Sequence, residues 1–536
     1  MVYLRSYILI IVAGLLCLAT GSAQPPKFYP DDPIRQDPRP VPVGEIKKLK
    51  IYDLFDYLYQ TGRQKHRASR PAMGINTLGE VPDSAWFTNR HGRTRMTREE
   101  LKRGAGNENR PLPPYVITGA KTEGITPGFR MRDAKGRLYF VKPDPAANPQ
   151  LSTGADVMGS KFFHAIGYNT PENYIITIGK SDLAIDKNAK ITGPDQISRK
   201  MIAHDLLDIL EKSAVLPDGS FRATASLAIP GRDLGPFRYE GTRSDDANDL
   251  IPHEDRRDLR GLFVFCAWLN HTDAKAANSF NALVREDGIA FVRHYLIDFG
   301  SAFGSDADAA KDARMGNEYQ IPSVGGALKP LLGLGLYSPG WERAVYPGLK
   351  AAGRIESSVF DPERWKTNYP NPAFLSRRPD DEYWAAKIVL AFSDGDIRAL
   401  VETAEYRDPR VVDYLTATLV QRRDKIGRVY FSKVLPLEAF RIENGELLFE
   451  DLSVKNKLRP APEYRISWWK LDNGSGTLAP LRQETSFHLP GQFALAGKGD
   501  YFAARIHALP DERKTVTVYL RKKDAGCEVA GIEREW

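Results

Sequence analysis

The stretch that most constrains this chain runs from residue 257 to 303, RDLRGLFVFCAWLNHTDAKAANSFNALVREDGIAFVRHYLIDFGSAF. Leu259, Leu262, Phe263, Phe265, Cys266 and Leu269 recur at spacings of three and four, which predicts a helix with an apolar face. The polar run His271 to Ser279 breaks that pattern. Two strand-like segments follow, Phe280 to Arg285 and Ile289 to Ile297, separated by Asp287-Gly288, and they predict a hairpin. The second strand ends in Asp298-Phe299-Gly300. A loop holding Asp273, Lys275 and Asn278 is thus followed by an aspartate, with one hairpin of chain between them.

Phosphoryl transfer calls for these residue types. One carboxylate must orient the attacking hydroxyl and accept its proton, and two oxygen ligands must hold Mg²⁺ against the nucleotide phosphates. Helix, polar loop, hairpin and Asp-Phe-Gly in that order resemble the catalytic core of the protein-kinase fold. The resemblance implies that Asp273 is the base, Asn278 the first metal ligand and Asp298 the second, with ATP and Mg²⁺ as cofactors. Lys275 beside the base would neutralise charge on the transferred group. His271 reads as a brace inside the loop.

Composition bounds the rest. A chain of 536 residues is long enough for two or three domains, and 42% hydrophobic with 10% aromatic residues is the make-up of packed globular protein. The net charge of +7 comes from 75 basic against 68 acidic residues with no Lys/Arg-rich run, so a nucleic-acid partner has no support. Residues 1–23 read as a secretory signal: Arg5, the apolar run Tyr7 to Ala19, then Gly21-Ser22-Ala23 before Gln24. That predicts an exported protein, periplasmic or secreted, touching a membrane only if the segment stays uncleaved as an anchor. Beyond the signal only Cys266 and Cys527 remain, and Cys266 falls in the apolar helix, so the fold does not depend on disulfides.

Residues 24–45 are Pro-rich and read as a linker or a surface-wrapping arm, and residues 46–114 as an N-terminal extension with Trp86 and Phe87 as anchors. From Tyr115 to Asp144 the chain reads as strand, Gly-containing turn, strand, tight turn, strand. Gly119 and Gly124 are candidates for backbone approach to phosphates. Lys142 ends an otherwise apolar strand, where an ammonium is costly to bury unless an anion meets it. The helix Thr153 to Gly167 carries Asp156 in its predicted first turn, which the helix dipole alone would favour. By the resemblance, Lys142 pairs the α- and β-phosphates, and Asp156 stands where kinases carry the glutamate that fixes that lysine.

A narrower likeness rests on Phe140-Val141-Lys142-Pro143, on Ala165-Ile166-Gly167 followed by Thr170-Pro171-Glu172, and on Asn270-His271-Thr272-Asp273 with Asn278. These resemble the bacterial HipA-type branch of the kinase superfamily, and more distantly the secreted kinases of the spore-coat CotH and Golgi secretory-pathway groups. The likeness covers about residues 115–305. The sequence departs from ordinary kinases in lacking Ala-Pro-Glu after Asp298 and the G-x-G-x-x-G spacing.

The fold class expected is α+β: a bilobal kinase-like fold, with an N-lobe and linker over 115–235 and a helical C-lobe over 236–432, followed by an all-β sandwich over 436–536. The linker would offer backbone groups from Ala228 to Gly231 to the adenine. The charged run 238–258 reads as a substrate-facing insertion or a solvated loop, and Arg422, Arg423, Lys425 and Arg428 as the exposed face of the last helix. The function implied is an exported ATP/Mg²⁺-dependent phosphotransferase acting on a hydroxyl of a protein or small molecule. Two alternatives stand beside it: a pseudokinase-like module whose β-domain recruits a protein partner, and a metal-dependent hydrolase using Asp273, Asp298 and His271 or His294.

Overall fold

The computed structural model describes residues 25–34, 36–37, 39–51, 56, 59, 70–106, 108–121, 128–193, 197–321, 339–481 and 486–536. The signal-like run 1–23, half of residues 46–61 in the N-terminal extension, and Gly124 lie outside them. The class is α+β. By its contacts the chain divides into two compact units, one of residues 34–436 with 451–461 and 536, the other of residues 1–33, 437–450 and 462–535.

In the larger unit, helix α1 (Arg98–Arg103) is followed by β1 (Tyr115–Lys121), β2 (Gly128–Arg132), β3 (Leu138–Pro143), α2 (Leu151–Ile166), β4 (Asn173–Ile178), β5 (Leu183–Thr192), β6 (Ser198–Lys200), α3 (Ala203–Glu211) and β7 (Phe221–Leu227). The strands form one mixed sheet in the order β4-β7-β3-β2-β1-β5-β6. It is antiparallel throughout except for the parallel β1–β5 pair. On β3, Tyr139 and Val141 alternate into the core while Phe140 is exposed. Lys142 therefore leaves β3 on the face opposite the core.

A short β8 (Arg232–Asp233) then leads to α4 (Arg257–Leu269), the hairpin β9 (Ser279–Glu286) and β10 (Ile289–Leu296), and a ribbon of β11 (Ser305–Asp306) with β12 (Ala309–Ala310). The β9–β10 turn has positive φ at both Asp287 (49°) and Gly288 (80°), the twist that a two-residue hairpin requires. Helices α5 (Pro379–Ala391), α6 (Asp394–Glu402) and α7 (Pro409–Phe431) complete the unit. Every residue of α4 is buried, so its apolar stripe serves as the centre of a helical core shared with α2, α5, α6 and α7. Trp86 and Phe87 of the N-terminal extension are buried in the same core, as anchors should be.

Two expectations about charge fail here. Arg422 is not on an exposed face: it is buried, and its guanidinium donates to the carbonyls of Trp268 (2.9 Å), Ala267 (2.5 Å) and Glu356 (2.7 Å) over the ring of Phe360. It caps the C-terminus of α4, whose last carbonyls have no partner within the helix. Nor is the run 238–258 solvated throughout: Arg238, Asp245, Asn248 and Leu250 are exposed, but the stretch that leads into α4 is not. Asp246, Asp249, His253, Glu254, Asp255, Arg256, Arg257 and Asp258 are buried in a hydrogen-bonded network that seats the first turn of α4. A composition of charges could not distinguish self-satisfied from solvated.

The smaller unit holds a hairpin of β13 (Leu437–Glu443) and β14 (Glu446–Asp451) and an antiparallel sheet in the order β16-β15-β17-β18-β19, from β15 (Tyr464–Leu471), β16 (Leu478–Pro480), β17 (Tyr501–Ala508), β18 (Thr515–Lys522) and β19 (Cys527–Glu535). Trp468 points inward and is fully buried, while Trp469 on the other face carries the Arg505 guanidinium. Both faces of β18 are covered. One cover is the Pro-rich arm: Phe28 inserts between Tyr501 and Tyr519, at 5.7 and 5.1 Å between ring centroids, and Arg521 donates to the carbonyls of Tyr29 and Asp32.

Candidate active site

Lys142, at the end of β3, forms an ion pair of 2.9 Å with Asp298, which follows β10. Their side chains keep 35% and 45% exposure, so the pair lines an open face. Burial alone would lower the Lys142 pKa, but the carboxylates of Asp298 and Asp156 outweigh it and hold the ammonium above its ordinary value. At Asp298 burial pushes the other way, and Lys142 with the Gly300 amide wins, leaving that carboxyl below its usual range. Asp298 also sits at positive φ, 60°, a conformation that turns the chain out of β10.

Asp156 belongs to the second turn of α2, since the helix starts at Leu151 and has no acid in its first turn. The helix dipole therefore does not account for it. Its carboxylate is buried, accepts the Phe299 amide at 3.0 Å, and is pushed up in pKa by that burial against the pull of Lys142. Asp156 thus bears on the lysine through its field and on the Asp298-Phe299 segment through a hydrogen bond. One turn further along α2, Gly159 leaves room for Phe299: a Cβ there would lie 2.3 Å from the Phe299 Cβ. The Phe299 ring stacks on Phe163 at 5.2 Å, with His271 at 5.9 Å.

The loop after α4 is shaped by Asn270, which ends the helix in the left-handed conformation (φ 52°). Asp273 then receives two kinds of support. The Asn278 amide donates to its Oδ2 and to its backbone carbonyl, both at 2.9 Å, and the Lys275 ammonium lies 3.3 Å from its Oδ1. Burial raises the Asp273 pKa, opposed by Lys275 and Asn278 and assisted by the charge on Asp298. The Ile297 amide donates to the Asn278 carbonyl at 3.1 Å, which ties the loop to the chain one residue before Asp298. Asp298 is near enough for its charge to act on Asp273, and it pairs with Lys142. A pocket beside Asp273 and Lys275 is walled by Tyr239, Tyr369, Pro370 and Pro372.

The donor set suits a hard cation. Both donated hydrogen bonds of the Asn278 amide go to Asp273, which leaves its oxygen as the ligand atom, and Asp298 adds a carboxylate that stays charged. Among the described residues no three His, Cys, Asp or Glu are gathered as a metal cluster. His271 is buried and held neutral, its pKa lowered to about 4 by burial with Lys311 adding to the effect. His294 is stacked on Trp86 at 3.4 Å and hydrogen-bonded to Asn281, and serves the core.

Gly119 stands at a register break in β1, where a Cβ would meet Arg130 and the Lys190 carbonyl at 2.6 and 2.9 Å. Strand packing accounts for that glycine. The Ala228 amide, expected to face a base, already donates to the Leu138 carbonyl at 2.9 Å, and Gly231 packs against the Leu283 carbonyl. The residue that sequence reasoning missed is Lys311, fully buried beneath the loop, for which nothing in its Ala-Ala-Lys-Asp surroundings gave notice.

No protein-family model and no curated protein matches the sequence. Among solved structures, the chain is similar to a Helicobacter pylori proinflammatory kinase, CtkA, at 11% identity and a TM-score of 0.31, covering 61% of this chain and 95% of that one. It is also similar to the Golgi casein kinase at 10% identity and a TM-score of 0.29, over 62% of this chain and 75% of that one. A second structure of that kinase, with Mn/ADP bound, matches at 10% identity and 0.30, over 76% and 94%. At that level of superposition the chemistry has to be read from this chain's own side chains.

Proposed function

We propose that this protein is a kinase-like phosphotransferase that moves the γ-phosphoryl group of ATP to a hydroxyl acceptor. The observation that carries the reading is the ion pair that brings Lys142 from β3 onto Asp298, beside a loop in which Asn278 holds Asp273 and is tied by its carbonyl to the Ile297 amide. Lys142 would meet the nucleotide phosphates, and Asp298 and Asn278 would hold Mg²⁺, which when bound draws charge from the phosphate oxygens. Asp273 orients the acceptor hydroxyl and takes its proton. The acceptor oxygen bonds to the γ-phosphorus as the bond from that phosphorus to the β–γ bridging oxygen breaks, and ADP leaves with that oxygen. Lys275, 3.3 Å from Asp273, favours the ionised form of the base and offers a positive charge to the transferring group. We also propose export, on the strength of the N-terminal apolar run and its small-residue end.

A second reading, nucleotide binding without turnover, is favoured by two features. The Asp156 carboxylate accepts the Phe299 amide, and Lys142 pairs with the very carboxylate a metal would need. Mg²⁺-dependent ATP binding and γ-phosphate release by the full chain separate the two. The transferase reading expects turnover, loss of metal-dependent binding in Asp298→Ala, and in Asp273→Ala retained binding with a rate about 10² to 10⁴ lower, the usual worth of a positioned base. Binding with no turnover would establish the second reading instead.

A further inference from the structure

After Gly300 the chain turns through the β11–β12 ribbon, with Ser305 opposite Ala310 and Asp306 opposite Ala309, and returns at Lys311. That return drives the lysine under the loop that carries Asp273. Its ammonium donates to the Thr272 hydroxyl at 2.6 Å and to the Ser301 carbonyl at 2.9 Å, and 1% of the residue is exposed. Thr272 precedes the base; Ser301 follows Asp298-Phe299-Gly300. The main chain on either side is pinned as well, by the Lys311 amide on the Gly304 carbonyl (2.9 Å) and by the Arg354 guanidinium on the Lys311 carbonyl (3.2 Å).

Both hydrogen-bond acceptors of this ammonium, the Thr272 hydroxyl and the Ser301 carbonyl, are neutral oxygens. A buried cation so partnered is an expensive way to fill space, because an apolar side chain of the same volume is usually at least as stabilising. The charged groups around it are the carboxylates of Asp306 and Asp273, with the neutral His271 ring alongside; burial still prevails and lowers its pKa to about 8. Packing alone does not explain a lysine here. Joining two functional segments does.

We propose that Lys311 is a positioning residue that locks the loop bearing Asp273 to the segment after Asp298, keeping the base in register with the phosphate-binding half of the site. This rests on the transferase reading. The test uses the full chain with Lys311→Met, Thr272→Val, which removes the same bond from its other end, and the double variant. Turnover of Mg²⁺·ATP, affinity for Mg²⁺·ADP and amide exchange across 272–278 are measured together. Each single variant should lose about tenfold or more in kcat, as displaced catalytic groups do, while ADP affinity and thermal midpoint hold. The double variant should be no worse than the worse single one, because both break one contact. Exchange across 272–278 should rise in all three.

Additive losses, or a fall in kcat matched by loss of ADP affinity and of stability, would make the lysine a general structural element and overturn the proposal. Unchanged turnover or unchanged exchange in either folded variant would overturn it too. An unsubstituted chain that binds Mg²⁺·ATP without turning it over removes the transferase reading and this proposal together. An active unsubstituted chain with equally active variants removes this proposal alone.

Discussion

Asp273 illustrates how one carboxylate is tuned by what surrounds it. Burial pushes its pKa up, and Lys275 and Asn278 pull it down without cancelling the effect. A base must be ionised, so the rate of transfer should fall as pH drops through a value above the ordinary carboxylate range. Removing the ammonium removes a contribution that favours the charged form. Lys275→Met is therefore expected to move the acid limb of the kcat profile to higher pH, a shift that rate measurements across pH 4 to 8 would read, about the range a perturbed carboxylate covers. An unmoved limb would show that Lys275 does not govern the base. At this scale the residue types were legible in the sequence: Asp273, Asn278 and Asp298 stand out because their spacing around a hairpin is hard to reach by chance. Lys311 was not, since a lone lysine in a Gly/Ala-rich irregular stretch has no periodicity to betray that it turns inward.

Between residue and molecule, the helices do the positioning. Gly159 exists so that α2 can approach Phe299, and Gly159→Ala inserts a Cβ 2.3 Å from a Cβ that cannot swing aside. The expected cost is about 1–3 kcal/mol of overpacking, seen in the thermal midpoint. Weaker Mg²⁺·ATP binding should accompany it, because Asp298 shares the displaced backbone. Arg422→Met leaves the terminal carbonyls of α4 without their cap and should cost about 3 kcal/mol, measured by denaturant unfolding. The apolar spacing in 259–269 revealed α4, and the alternation in 280–297 revealed β9 and β10. Pattern gave no account of Arg422, whose charge reads as surface until the helix it caps is placed against it.

For the whole chain, two units carry different sorts of information. The smaller one shows an arm completing a sheet: Phe28 is 5% exposed between Tyr501 and Tyr519. Phe28→Ala should destabilise that unit by about 3 kcal/mol and speed amide exchange in β17 and β18 while leaving α4 and α7 protected; equal protection everywhere would mean that the arm is dispensable. The sequence by itself determined the alternation of strand and helix, the α+β class and the side-chain types on which the proposed chemistry rests, because periodicity and side-chain type are local properties written in order along the chain. Only the tertiary structure decided that Lys142 meets Asp298, that Asp156 holds the Phe299 amide, and that Lys311 and Arg422 are buried. Those depend on which distant segments share space. A charge looks the same in a sequence whether water or a carbonyl oxygen receives it.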